Sequence, residues 1–261
     1  MAASRFDLTG TTALVTGASS GLGQHFARVL AGAGAGIVLA ARRVDRLEAL
    51  AAGITSAGGR ATAVACDVTS TASVAAAFAT GTAALGPISI VINNAGVPSA
   101  AWFAKTSDEE WASVLDVNLT GVFRVGREAA RHMQANVKAG HPDGGSIINI
   151  ASILGFGVLK TLSTYATSKA AVVQLTKAMA LELARDRIRV NALAPGYFST
   201  EINDGFLDSD EGKALLVKVP MKRHGELREL DGPLLLLASE AGAYMTGSII
   251  TVDGGTLLSM G

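Results

Sequence analysis

Three glycines, Gly17, Gly21 and Gly23, follow directly on the apolar run Ala13-Leu14-Val15. Glycine tolerates positive φ and lets the backbone close on a ligand. A strand that turns there and opens a helix presents free N–H groups and the positive end of a helix dipole. That arrangement suits a pyrophosphate, with Ser19, Ser20 and Leu22 inside the same turn. The spacing is G-x-x-x-G-x-G, not the common G-x-G-x-x-G fingerprint, and a glycine-rich turn can also be purely structural.

A second signal lies about twenty residues on. A strand that carries a dinucleotide's ribose usually ends in a carboxylate, which accepts hydrogen bonds from the 2′-OH. Here it ends Leu39-Ala40-Ala41-Arg42-Arg43, with no acid. Arg42 and Arg43 can instead clamp a 2′-phosphate by charge-assisted hydrogen bonds. A solvated arginine pair at a helix start is the plain alternative.

The elements that must position these residues run the whole length. Strand-like apolar runs occur at 13–15, 37–40, 63–65, 88–92, 147–150, 189–193 and 249–252. Most are short, continuous and rich in Val and Ile, as in strands covered on both faces of a parallel sheet. Residues 44–57 have Leu47, Leu50 and Ile54 at helical spacing, and long helices are expected over 116–138 and 164–185. Regular alternation predicts one doubly wound α/β domain spanning 1–261.

Composition narrows the function. The chain has 261 residues, 49% hydrophobic and 17% charged, which excludes a disordered chain. Twenty-two basic residues balance twenty-two acidic ones, so no global charge draws it to nucleic acid or an anionic membrane. Residues 68–104 hold no Asp, Glu, Lys or Arg, but Gly86-Pro87 and Asn93-Asn94 break the stretch, so no membrane span is expected. The first ten residues lack the apolar core of a signal peptide. The single Cys66 excludes an internal disulfide and fits a reducing compartment; the four histidines show no metal-ligand spacing, so no metal is expected. Tyr165 and Lys169, four apart on a helix, share a face; taken alone they are an ordinary helix pair.

Taken together, Thr16-Gly17-x3-Gly21-x-Gly23, Asp67-Val68, Asn93-Asn94-Ala95-Gly96, Asn118, Ser152, Tyr165-x3-Lys169 and Pro195-Gly196 with Thr200 occur in one order. From Thr11 to Gly255 the sequence resembles the short-chain dehydrogenases/reductases. The resemblance implies a single Rossmann-fold domain, with a seven-stranded parallel sheet in the order 3-2-1-4-5-6-7 and helices on both faces. It implies catalysis by Asn118, Ser152, Tyr165 and Lys169. Tyrosine's ordinary pKa near 10 is too high for a base at neutral pH, and a nearby ammonium and oxidised nicotinamide would lower it. Tyr165 would then exchange a proton with the substrate oxygen, Ser152 would hold that oxygen, and Lys169 would also bind the nicotinamide ribose. Asn118 would hold a water that links Lys169 to solvent.

The same resemblance assigns Asp67 to the adenine amino group and Val68 to its ring, capping of the next helix being a rival role for Asp67. Asn94, Ala95, Gly96, Pro195, Gly196, Phe198 and Thr200 complete the cofactor contacts. NADP(H) is expected as the preferred cofactor, with NAD(H) use left open.

The expected reaction is hydride transfer between NADP(H) and a hydrophobic ketone or secondary alcohol. Trp102, Ile153, Leu154, Leu159, Leu162, Tyr197, Phe198 and Ile202 supply an apolar surround. A substrate lid is expected at 197–222, with Phe206, Leu207, Leu215, Leu216 and Val217 on its inner face. The alternatives are a 3-oxoacyl-carrier-protein reductase, for which Arg124, Arg127 and Arg131 on one helix side would meet an acidic carrier, and a non-catalytic dinucleotide-binding regulator. A cytoplasmic homotetramer is expected, with Val172, Leu175 and Met179 facing outward and the apolar C-terminus at a second interface.

Overall fold

In a computed structural model of the chain, the apolar runs become Thr12–Thr16 (β1), Gly36–Ala41 (β2), Arg60–Ala65 (β3), Ile90–Asn93 (β4), Gly145–Ile150 (β5), Ile188–Pro195 (β6) and Ile249–Val252 (β7). All pair in parallel in one sheet of order β3-β2-β1-β4-β5-β6-β7. The structure describes residues 5–140, 144–199, 209, 212, 214 and 216–260. Every residue of β1, β2 and β4 is buried, which is why those strands read as unbroken apolar runs.

Helices cover both faces. Gly21–Gly32 (α1) and Val44–Ser56 (α2) pack Phe26, Leu30, Leu47 and Leu50 against one face. Thr71–Leu85 (α3) and Gly121–Lys138 (α5) pack Val74, Phe78, Val125 and Met133 against the other. Ser163–Leu183 (α6) joins that second layer, and Asp231–Ala238 (α7) joins the first through Leu234 and Leu237. Each fully buried side chain of this size contributes about 1.5–3 kcal/mol.

The helix expected to start at 116 starts earlier. Asp108–Leu115 (α4) is capped by Ser107, whose hydroxyl accepts from the Glu110 N–H at 3.1 Å. A π-helical turn, Asp116–Thr120, then joins α4 to α5. Gly121 lets it lie close to β3's exit, since a Cβ there would meet Val68 Cγ2 at 2.8 Å.

Two expectations about these helices are corrected. Val172 does not face outward; it is fully buried among Val122, Ala192 and Ala194. Nor do the three arginines placed together on one side of α5 share one setting. Arg124 donates to Asp116 Oδ1 at 2.8 Å across the π turn, Arg127 stacks 4.9 Å over the Phe123 ring, and only Arg131 stays mostly exposed, near Glu128. Thr200, assigned to the cofactor, and Ile202, Phe206, Leu207 and Leu215, assigned to the substrate side, lie outside the described residues, as do 141–143. Among the described residues no helix is long and apolar enough to cross a membrane.

Candidate active site

The sheet order reverses between β1 and β4, and a cleft of about 400 Å³ opens at their carboxyl ends. Crevices at such reversals are where open α/β sheets take ligands. Thr16 and Asn94 set its floor. The Thr16 hydroxyl donates to the Ile92 carbonyl and accepts the N–H groups of Asn94 and Ala95 at 3.0 and 3.1 Å. Asn94 Nδ2 donates in turn to the Thr16 carbonyl at 3.0 Å.

The glycine turn is built for close approach. Gly17 has φ +66°, in the left-handed region. A Cβ on Gly23 would lie 2.4 Å from the Gly17 carbonyl oxygen, so α1 can begin against the turn only with glycine there. No side chain caps the first turn of α1, which leaves its N–H groups directed at the cleft. This cradle fits a dinucleotide's pyrophosphate.

The ribose end carries the two arginines. Arg43 donates to Ser19 Oγ through Nε and Nη2, at 3.2 and 2.9 Å, and to Ser20 Oγ at 2.9 Å. Its guanidinium therefore stands over the phosphate turn. Arg42 faces the Asp67 carboxylate electrostatically. Asp67 accepts the N–H and hydroxyl of Thr69, at 2.9 and 2.8 Å, which hold its carboxyl below the usual range. It does not cap α3; Ser70 does, accepting from the Ser73 N–H.

Around Tyr165 the groups expected to act converge. Lys169 is buried, donates from Nζ to the Ile150 carbonyl at 2.8 Å and lies 5.6 Å from the Tyr165 ring centre. Burial pushes its ammonium down to about 8. Burial also raises the Tyr165 phenol above its ordinary value, while the Ser152 hydroxyl beside it acts in the lowering sense. The chain's own groups thus leave the phenol above its ordinary value, whereas the expected lowering combined the ammonium with oxidised nicotinamide. Ser152 starts the turn after β5 and accepts from the Leu154 N–H at 3.1 Å, so it is also a cap.

Asn118 sits in the π turn, fully buried behind the cleft. Its Oδ1 accepts the Val97 N–H at 2.8 Å, and its Nδ2 donates to the Val97 carbonyl at 3.0 Å and to Ser168 Oγ at 3.3 Å. Ser168 in turn donates to the Tyr165 carbonyl at 2.6 Å. Sequence reasoning missed Ser168, Val97 and the Ile150 carbonyl. Only Ser168 left a signal, standing between Tyr165 and Lys169 on one helix.

Of the residues assigned to the cofactor, Gly17, Ser19, Ser20, Gly21, Leu22, Arg42, Arg43, Asp67, Val68, Asn94, Ala95, Gly96, Pro195, Gly196 and Phe198 all line the cleft. Ser152, Tyr165 and Lys169 line it as well. Gly23 and Asn118 stand behind its wall. Among the described residues no cluster of His, Cys, Asp or Glu could hold a metal ion.

The family described as enoyl-(acyl carrier protein) reductase matches residues 17–256. The chain is 36% identical over 256 residues to gluconate 5-dehydrogenase of Gluconobacter oxydans, covering 98% of each. It is 38% identical over 257 residues to 3beta-hydroxysteroid dehydrogenase 1 of Eggerthella lenta, covering 98% of this chain and 97% of that protein. A solved gluconate 5-dehydrogenase from Burkholderia cenocepacia, in complex with NADP and tartrate, is 40% identical with a TM-score of 0.90, over 97% of each chain.

Proposed function

The chain belongs to the short-chain dehydrogenase/reductase family of oxidoreductases, and from that premise we propose that it transfers a hydride between NADP(H) and a hydrophobic ketone or secondary alcohol. The observation that carries the substrate class is the wall around Tyr165. Ile153, Leu154 and Ala166 form an apolar cluster there with Leu159, Leu162, Tyr197, Leu257 and Met260. The only cation lining that end, among the described residues, is Lys169, which is bonded to the Ile150 carbonyl. Arg42 and Arg43 follow β2, three strands from β5 or about 14 Å away. Among the described residues that wall offers no free cation to a sugar acid's carboxylate.

The cofactor supplies the hydride; the chain's residues bind, orient and handle the proton. Gly17 to Gly23 hold the pyrophosphate, and Arg42 and Arg43 hold the 2′-phosphate. Asp67 and Val68 bound the adenine. Ser152 donates to the carbonyl oxygen and sets its direction. In reduction the Tyr165 phenol gives its proton to that oxygen as it gains charge; in oxidation it takes the proton back. Lys169 supplies positive charge beside the phenol, and Asn118 keeps the π turn and the Val97 segment in place. A homotetramer is the proposed assembly, supported by exposed Phe123 on α5 and Leu181 on α6; light scattering that reports a monomer at micromolar concentration would exclude it.

The second reading is a sugar acid, as named for the gluconate relatives. Cofactor absorbance during turnover separates the two. The proposed chemistry expects NADPH oxidation with methyl ketones and little with a keto sugar acid; the reverse pattern overturns it.

A further inference from the structure

Single exposed apolar side chains are ordinary on a protein surface, but a continuous apolar rim around a cleft is not. Trp102, Phe103, Phe156, Val158, Met221 and Leu258 are each half-exposed or more. They belong to four segments that touch one another. The Ala101 N–H donates to the Thr161 carbonyl at 2.8 Å, joining the first segment to the second. Gly157 lies against the Met260 side chain, joining the second to the C-terminus. Ser259 Oγ donates to the Lys218 carbonyl at 2.8 Å, and the Met221 N–H to the Gly254 carbonyl at 3.2 Å, joining the C-terminus to the fourth segment.

The rim is continuous with the site. Leu159, Leu162, Leu257 and Met260, which come from two of these segments, pack in one cluster with Tyr165 and Tyr197. Thr161 holds φ +68°, a left-handed conformation that a β-branched residue adopts only under constraint, here beside its bond to Ala101. Apolar side chains thus lead from the phenol outward toward the rim. We infer that the rim is a second, outer subsite for the substrate, and that the substrate is a ketone or alcohol with an extended apolar body, its carbonyl at Tyr165 and its far end on Trp102, Phe156 and Val158. This rests on the ketone chemistry proposed above. Continuity with the reactive cleft favours the substrate over a second copy of the chain as occupant.

The test uses methyl ketones from butanone to methyl nonyl ketone. kcat/KM should rise about two- to fourfold per added methylene over the middle of the series. Phe156→Ser with Val158→Ser should cut kcat/KM for the longest ketone at least about tenfold, through KM, and for butanone by less than about twofold. A flat series, or equal losses for short and long ketones, overturns the subsite. So does a change of oligomeric state in the double variant by light scattering, since the rim would then be a subunit contact. A binding readout separates this from the chemistry. With Trp111→Phe and Tyr165→Phe, Trp102 is the remaining tryptophan and turnover is blocked. Its emission should shift as methyl nonyl ketone is added. A shift together with no ketone turnover in the parent enzyme would overturn the hydride chemistry but keep the apolar subsite; no shift would overturn the subsite alone.

Discussion

Lys169 Nζ lies 5.6 Å from the centre of the Tyr165 ring and makes its hydrogen bond to the Ile150 carbonyl, not to the phenol. The ammonium thus stands over the ring and shares no hydrogen bond with the phenol oxygen. Burial lowers the ammonium to about 8 and raises the phenol, so the lysine loses its proton first as pH rises. Ketone reduction should therefore fall on the alkaline side with an apparent pKa near that of Lys169. A pH profile flat to well above pH 9 would contradict this order.

The same burial has a sign for stability. Lys169 falls from 10.5 to about 8 on folding, so the unfolded chain holds the proton more tightly, and stability rises with pH between those values. Lys169→Met should be more stable than the parent at pH 7, by roughly 1–3 kcal/mol after loss of the Ile150 bond. The gap should narrow above pH 8. Cys66, raised from 9.0 to about 11 by burial, acts in the opposite sense from about pH 9 but equally in both proteins. Urea melts at pH 7 and pH 9 measure the difference.

Tyr165→Phe should keep NADPH affinity and lose at least about a hundredfold in kcat. Cofactor fluorescence and single-turnover kinetics test the two halves. Turnover near that of the parent enzyme would remove Tyr165 as the proton donor.

Cofactor choice divides between the arginines. Charge-assisted bonds of about 1.5–3 kcal/mol each imply roughly tenfold to over a hundredfold preference for NADPH. Arg43→Ala should raise KM for NADPH about tenfold and barely move that for NADH, because only NADPH carries the 2′-phosphate assigned to it. Ala41→Asp with Arg42→Ile should shift preference toward NADH. Equal kcat/KM for both cofactors in the parent enzyme would show that neither arginine reads the phosphate.

Gly23→Ala forces a Cβ to 2.4 Å from the Gly17 carbonyl oxygen. It should destabilise by about 1–3 kcal/mol and weaken cofactor binding together. Thermal melts with and without NADPH distinguish this from loss of binding alone.

The sheet was legible because strands buried on both faces leave no polar alternation; the runs 37–40 and 147–150 fall inside β2 and β5. The cleft's glycines were legible for the same local reason, a turn written into consecutive residues. What sequence could not supply depends on partners brought near by folding. Val172 looked outward on a helix that is in fact covered on several sides, by Val122 of α5 and by Ala192 and Ala194 of β6. In sequence Arg124 groups with Arg127 and Arg131, because its partner, Asp116, lies eight residues back across a π turn that no pattern announces. The phenol's direction depends on how far the fold withdraws it from water, which spacing does not encode.

The bonds between Thr16, Asn94 and Ala95 stitch together the two strands at which the sheet reverses. That gap can neither widen nor close without breaking them. The half of the cleft beneath the pyrophosphate turn is thus a finished mould, with little conformational entropy left to lose when it is filled. Any slow, ordering step must fall on the other half, beside Tyr197 and Phe198. The amides of Asn94 and Ala95 should exchange with deuterium as slowly in the free protein as in the loaded one.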